Sequence, residues 1–248
     1  MFRLKHLFSI PALIGLAVPL QMYANEPVPI GQSDSIPIER THRFHGAYPI
    51  PSDGLTLGVF WLPDVDYSEY GGPEVPDFLE QDLGRSFSIT IPFIGLIRNM
   101  NKAKTLQLET SLEMSIHNLV FSNSFALTRM PGIERIYPIP VEPELKKSKL
   151  CLTYFELPVR ITVRNNHARR LFTAGIVPGL LLNEHTKTKK PKEKERLHSV
   201  ENFRCNAEIR CWLHPHFYLS GTYSLTPMFK DHRGPETYPV TFGIGWRL

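Results

Sequence analysis

The strongest constraint on this chain is a hydropathy alternation of period two that recurs in eight separate stretches. It is clearest over 105–117. There Leu106, Leu108, Leu112, Met114 and Ile116 take one face, and Gln107, Glu109, Ser111, Glu113, Ser115 and His117 take the other. Over 203–213, Phe203, Cys205, Ala207, Ile209, Cys211 and Leu213 oppose Arg204, Asn206, Glu208 and Arg210. Over 238–248, Tyr238, Val240, Phe242, Ile244, Trp246 and Leu248 oppose Thr241, Gly243, Gly245 and Arg247. Similar patterns mark 87–94, 155–164, 171–182 and 216–226, with a weaker case at 54–61. Successive side chains of a strand point to opposite faces, so each stretch predicts a β-strand with one apolar face. Helical periodicity is nearly absent beyond residue 52.

The connections alternate in length. Residues 62–84, 123–148 and 184–199 are long, and 229–236 is intermediate; 98–103, Asn165-Asn166-His167 and His214-Pro215 are short. Between antiparallel neighbours this places every long loop at one end and every short turn at the other. An even strand number with that asymmetry predicts an all-β, eight-stranded antiparallel up-and-down transmembrane β-barrel.

Alternation alone is silent about which face points outward, and a lipocalin-like soluble barrel would put the apolar face inside. Three features favour the reverse. The polar faces carry Glu109, Glu113, Glu156 and Glu208 against Arg160, Arg204, Arg210 and Arg247, with lysines kept mainly to loops. A balanced Arg/Glu set suits an enclosed lumen, because guanidinium pairs with carboxylate in a planar fork and an unpaired buried charge is costly. Trp61, Phe87, Tyr154, Phe155, Phe172, Phe217, Tyr238 and Trp246 lie near strand ends, where interfacial girdles form. Finally, the chain stops inside its last strand. Thr241, Gly243, Trp246 and Leu248 resemble the C-terminal signal read by barrel-assembly machinery, which more often ends in Phe.

The rest of the chain fits export. Arg3, Lys5 and His6 precede an uncharged apolar run from Leu7 to Leu20. That run is too short to span a hydrocarbon core of roughly 30 Å, so 1–24 is expected to be a signal peptide. Ala24 is one candidate for the last residue removed; Gly15-Leu16-Ala17 offers another. Residues 25–51 hold five prolines and little apolar periodicity, an expected periplasmic tail, which leaves 52–248 as the barrel domain. An odd count of three cysteines, Cys151, Cys205 and Cys211, argues against a disulfide framework. The chain has 28 Lys+Arg, of which Arg3 and Lys5 lie in the leader, leaving 26 against 24 acidic residues. No nucleic-acid partner follows from that balance.

Tyr154-Phe155-Glu156-Leu157-Pro158-Val159, the later Gly175-Ile176-Val177-Pro178-Gly179 and the ending Gly243-Ile244-Gly245-Trp246-Arg247-Leu248 resemble the PorT-like barrels of the outer-membrane-protein β-barrel domain family. The resemblance covers roughly 150–248. It implies the bacterial outer membrane, and a structural or interactive role in envelope integrity or a secretion assembly.

Eight strands enclose an interior just wide enough for side chains, so the expected lumen is plugged by its ion pairs. Ser115-Ile116-His117 with Glu113 is a candidate nucleophile arrangement for a lipid-modifying enzyme, but it sits on the polar face and belongs to no dedicated motif. His214 and His216 lack Cys or carboxylate partners for a metal. Loop 62–83 carries seven acidic residues and no Lys or Arg, while 184–198 carries Lys187, Lys189, Lys190, Lys192, Lys194 and Arg196. The basic loop is a candidate for binding lipopolysaccharide or an acidic partner surface. No cofactor or metal is expected. The expected partners are outer-membrane lipids, barrel-assembly machinery and envelope proteins.

Overall fold

The computed structural model describes residues 48–50 and 54–247, apart from 71–76, 123–124, 130–131, 133–134, 141–146, 166, 168 and 190–192. The expected leader 1–24, the expected tail up to residue 47, and Leu248 lie outside the described residues.

Among the described residues the alternation becomes thirteen strands: β1 (Tyr48–Ile50), β2 (Thr56–Trp61), β3 (Phe87–Asn99), β4 (Leu106–Phe121), β5 (Phe125–Arg129), β6 (Ile136–Pro140), β7 (Lys147–Glu156), β8 (Val159–Arg164), β9 (Arg170–Lys189), β10 (Lys194–Glu195), β11 (Phe203–His214), β12 (Phe217–Ser224) and β13 (Val240–Trp246). β7 and β8 both pair with β4 and with β9, forming one stave interrupted at Leu157-Pro158, where proline has no N–H to give the ladder. The staves therefore run β2, β3, β4, β7/β8, β9, β11, β12, β13, all antiparallel. β13 pairs back onto β2 through Phe242↔Val59 and Gly243↔Gly58, which closes an eight-stranded barrel. β1 pairs with β3 at Ile97, Leu96 and Gly95, next to the short-turn end.

Several strands outrun their expected lengths. Expected strand 87–94 continues to Asn99 as β3, and 171–182 continues to Lys189 as β9. β-bulges explain why. Register shifts at Phe93, Leu171 and Leu182 put two consecutive residues outward (Phe93-Ile94, Leu171-Phe172 and Leu182-Asn183), and this breaks period two in the sequence while the ladder continues. At twenty residues, β9 exceeds the ~9–11 that cross a bilayer, so the sheet projects beyond it.

Polarity is inverted relative to a soluble protein. Leu57, Val59, Ile161, Val163, Ile176, Leu180, Ile209, Leu219, Phe242 and Ile244 are 38–57% exposed around the wall. Inside, Glu113 is 1%, Arg160 3% and Arg204 5% exposed. A continuous apolar belt around a charged interior would be unstable in water and is matched by lipid chains. The barrel is of the transmembrane kind. Of the expected girdle, Trp61, Phe87, Phe155, Phe172 and Phe217 do face outward. Tyr154 does not: it is 2% exposed and points into the lumen, because the inward set of β7 is 150, 152, 154 and 156.

At the long-loop end the interior changes character. Phe60, Leu119, Phe121, Leu150, Leu152, Leu197, Met228 and Phe229 pack with Phe78, Leu79, Leu127 and Ile136 into an apolar core. The loops are stitched across this end by backbone bonds. Ser122 N–H donates to Glu80 O (2.9 Å), Lys230 N–H to Ser199 O (2.9 Å) and Ile136 N–H to Arg233 O (2.9 Å). The expected loop 123–148 contains the β5–β6 hairpin.

At the other end, Tyr218 lies flat across Gly245, its neighbour on the adjoining strand, with its hydroxyl 2.7 Å from Thr56 Oγ1. A Cβ on Gly245 would sit 2.1 Å from Tyr218 Cζ, whereas one on Gly221 would come no closer than 3.6 Å to Ile209. Gly245→Val is expected to lower folding stability by about 1–3 kcal/mol, and Gly221→Ala to change it by less than about 1 kcal/mol. Urea titration of the protein refolded in lipid vesicles measures both.

Candidate functional site

Among the described residues, two places concentrate chemistry: the lumen and the outer face of the β7–β9–β10 corner.

The lumen is built in layers. Nearest the short turns, Arg170 Nη2 lies 3.0 Å from Glu109 Oε1, and its guanidinium stacks 4.8 Å over Trp212. The Trp212 indole N–H donates to Thr173 Oγ1 (3.0 Å), which bonds Thr162 (2.8 Å). In the middle layer Arg160 clasps Glu113 with both terminal nitrogens (2.6 and 2.9 Å) and reaches Glu208 through Nε. Glu208 also accepts from Arg210 Nε at 2.9 Å, and Arg210 lies over Tyr218. Ser111 donates to Glu113 at 2.6 Å. In the third layer Arg204 donates to Glu156 Oε1 (2.6 Å), His117 Nε2 (2.9 Å) and Ser115 Oγ (3.3 Å), and it sits 3.9 Å above the Tyr154 ring.

The backbone explains how these charges meet. Arg160 and Glu208 are both register partners of Gly175, one on each flanking strand. Glu156 and Arg204 flank Gly179 in the same way. Each ion pair therefore closes over a residue that has no side chain. A Cβ on Gly179 would lie 3.0 Å from Glu156 Cγ, and one on Gly175 would lie 2.7 Å from the Arg160 Cα. The three layers hold four arginines and four glutamates, with a guanidinium for each carboxylate, and Arg164 stands opposite Arg170 at the turn end. About 40 Å³ of cavity remains among Ser88, Ser115, His117, Arg160 and Arg204, space for a few waters at most.

Seven of the eight expected lumen charges lie in this network: Glu109, Glu113, Glu156, Arg160, Arg204, Glu208 and Arg210. Arg247 lies one residue past β13, half-buried, with its backbone N–H on His216 O (2.8 Å). Arg170 takes the fourth cationic place. It escaped the sequence reading because the bulge at Leu171 puts it out of phase with the strand that follows. The Ser115/His117 candidate is not brought together as a nucleophile and base. His117 Nδ1 bonds Ser88 Oγ (2.9 Å) instead of Ser115, and Arg204 donates to Nε2, so the neutral ring carries its proton on Nδ1. An imidazole with both nitrogens engaged this way orients an arginine and activates no hydroxyl. Of the C-terminal signal residues, Thr241 and Gly243 face the lumen side of β13 and Trp246 ends it, while Leu248 lies outside the described residues.

On the outer corner Lys149, Lys187 and Lys194 are direct register partners across β7, β9 and β10. Lys189 and Arg196 are exposed nearby; Lys190 and Lys192 lie outside the described residues. Lys149 is a missed member, since 123–148 reads as loop and hides the start of its strand. His185 lies within this group, 8% exposed. Burial, then Lys187, Lys194, Lys149 and Arg196, pushes its imidazole down to about 4. The Asn183 amide nitrogen lies 3.1 Å from Nδ1 and donates to it, which leaves the proton of the neutral ring on Nε2. That Nε2 is buried without a hydrogen-bond partner.

Above the apolar core the loops clasp one another. Arg135 donates to the Glu69 carboxylate (3.1 Å), Glu69 O (3.0 Å) and His232 O (3.1 Å), and lies 4.8 Å over the Tyr70 ring. Burial pushes the Tyr70 phenol up to about 12 against the pull of Arg135. Acidic residues of the 62–83 loop serve its own backbone: Asp66 accepts from Ser68 N (2.8 Å) and Asp77 from Leu79 N (3.2 Å).

No protein-family model matches the chain, and no curated protein matches its sequence. Among solved structures it is similar to Ail, the attachment invasion locus protein of Yersinia pestis, at 12% identity and a TM-score of 0.32, over 79% of this chain and 97% of that one.

The His185 geometry sets a pH dependence. Its folded-state pKa of about 4 lies below the ordinary 6.5, so the unfolded chain binds a proton that the folded protein refuses. Stability from this group is present above pH 6.5 and is lost as pH falls toward 4. In paired urea titrations from pH 7.5 to 4.5, His185→Gln is expected to show a shallower loss than the unsubstituted protein.

Proposed function

We propose that this chain is a small barrel of the Gram-negative outer membrane with a structural or interactive role in the envelope. The observation that carries the reading is the pairing of a continuous lipid-matched belt with a charged, filled lumen. Bilayers are spanned by helices or by closed barrels, and single-chain barrels of even strand number with short turns at one end are the outer-membrane type. An apolar-ligand barrel of the lipocalin kind needs an apolar lumen; the ion-paired layers argue against it. The engagement of His117 by Ser88 and Arg204 argues against a lipid-modifying enzyme. The loop end, closed by its own apolar core and the Arg135–Glu69 clasp, offers a preshaped surface to a partner protein. Kinship with the PorT-like barrels, resting on 154–159, 175–179 and the last strand, belongs to the same reading. So do lipid, assembly-machinery and envelope-complex partners.

Fractionation of cells expressing the full chain tests it. The protein is expected in the outer-membrane pellet after a carbonate wash, migrating differently before and after boiling. In planar bilayers it is expected to give no stable large conductance. Release into the soluble fraction without detergent would overturn the membrane reading, and a stable open channel would overturn the plugged lumen.

A further inference from the structure

The three lysines on the outer corner form an arrangement that folding alone disfavours. Residues directly opposite across a strand pair approach to about 5 Å at Cβ, and like charges there repel. Lys149, Lys187 and Lys194 stand opposite one another in an unbroken row over three adjacent strands. Among the described residues no ion pair joins them to a carboxylate, and Glu193 stands at the alternate position opposite Thr188. Glu195 falls at the alternate position of β10 and accepts from Thr128 Oγ1 at 3.0 Å, and Glu184 falls at the alternate position of β9 and accepts from Val200 N at 3.1 Å. A second, independent observation is the buried His185 Nε2–H with no acceptor, among the same side chains. Donors without acceptors, set among unneutralised cations, describe the inside of an anion site.

Position selects the anion. The outward residues Leu180 and Leu182, 57% and 60% exposed, and Phe203, 47% exposed, form the upper edge of the belt below this corner. Lys187 lies five residues beyond Leu182, which with strand tilt places its Cα roughly 10–13 Å above that edge. Lysine stems reach several ångströms down along the wall. A phosphate carried on a sugar headgroup sits at that height while its acyl chains lie against Leu180, Leu182 and Phe203.

We propose that Lys149, Lys187, Lys194 and the His185 Nε2–H hold a phosphate of an outer-leaflet glycolipid against the barrel wall. Arg196 lies beside them as a further cation. The site deepens the membrane reading and rests on it. It also accounts for the like-charge row, since a bound phosphate turns mutual repulsion into shared attraction.

The test uses the full-length barrel refolded into vesicles of zwitterionic phospholipid, either alone or with phosphorylated or dephosphorylated lipid A. The probe protein is the triple variant Lys149→Gln/Lys187→Gln/Lys194→Gln beside the unsubstituted chain, with His185→Phe as a variant that changes no charge at neutral pH. In zwitterionic vesicles the triple variant is expected to be the more stable of the two, because repulsion is relieved. With phosphorylated lipid A the order is expected to reverse, with retention of the glycolipid through purification weakened at least about tenfold, given the worth of each cation near an anionic surface. His185→Phe is expected to weaken retention about threefold or more. Dephosphorylated lipid A is expected to leave the order unreversed, and millimolar inorganic phosphate to give only a small part of the effect. Equal retention by the triple variant overturns the site, as does indifference to dephosphorylation. Full reproduction by inorganic phosphate overturns the glycolipid assignment. A protein that pellets with membranes and shifts on heating, yet shows no reversal, fails this inference alone; one that never enters membranes fails the reading beneath it.

Discussion

A barrel whose outside must be apolar has to find its cohesion inside, and here that cohesion is an interlocked set of arginine–glutamate pairs. Lipid competes with no hydrophobic burial on the outer wall, so the belt specifies orientation in the bilayer but does little to hold strands in register. Register comes from the lumen. Arg160 can clasp Glu113 and Glu208 together only if β4, β8, β9 and β11 stand where the ladder places them. A slip of one strand by one residue would turn that strand's charges toward lipid and strand their partners. Burying four carboxylates beside one another is tolerable because each has a guanidinium. Even Glu113 and Glu156, which are direct register partners, are served by different arginines.

The second structural principle is a division of labour along the barrel axis. Below, side chains are charged and tied by geometry. Above, where β4, β7 and β9 project past the belt, the interior turns to Leu119, Phe121, Leu150 and Leu152 and behaves like a small soluble core. Water surrounds that end, so the hydrophobic effect works again and can hold loops down. The described residues at that end are thus held by apolar packing, and the interactive role proposed above draws on them and on the basic corner beside them.

Much of this was legible in the residues. Strict alternation in 105–117 and 203–213 marked which face is polar, and Arg paired with Glu without Lys marked that face as enclosed. What stayed hidden has identifiable causes. Bulges at Phe93, Leu171 and Leu182 reset the period and concealed Arg170 and the upper half of β9. Tyr154 read as a girdle aromatic because composition does not tell which side of Phe155 faces lipid. Gly175 and Gly179 read as family-like glycines, and only the pairing of β9 with both neighbours shows that they make room for ion pairs. The lysine row was visible only in part, since Lys149 belongs to a strand whose beginning reads as loop. The apolar lid depends on contacts between residues as far apart as Phe78 and Phe229, which no local pattern reports.

The Arg160–Glu113 pair fixes the register of the barrel, and a double-mutant cycle measures its coupling. Arg160→Met, Glu113→Leu and the combined variant would each be unfolded by urea in lipid vesicles. Each single change is expected to cost about 3–5 kcal/mol, because it strands a buried charge. The double variant is expected to recover at least about 2 kcal/mol of the summed loss. Losses that simply add, within about 0.5 kcal/mol, would mean that the two residues act independently and that the pair does not set the register.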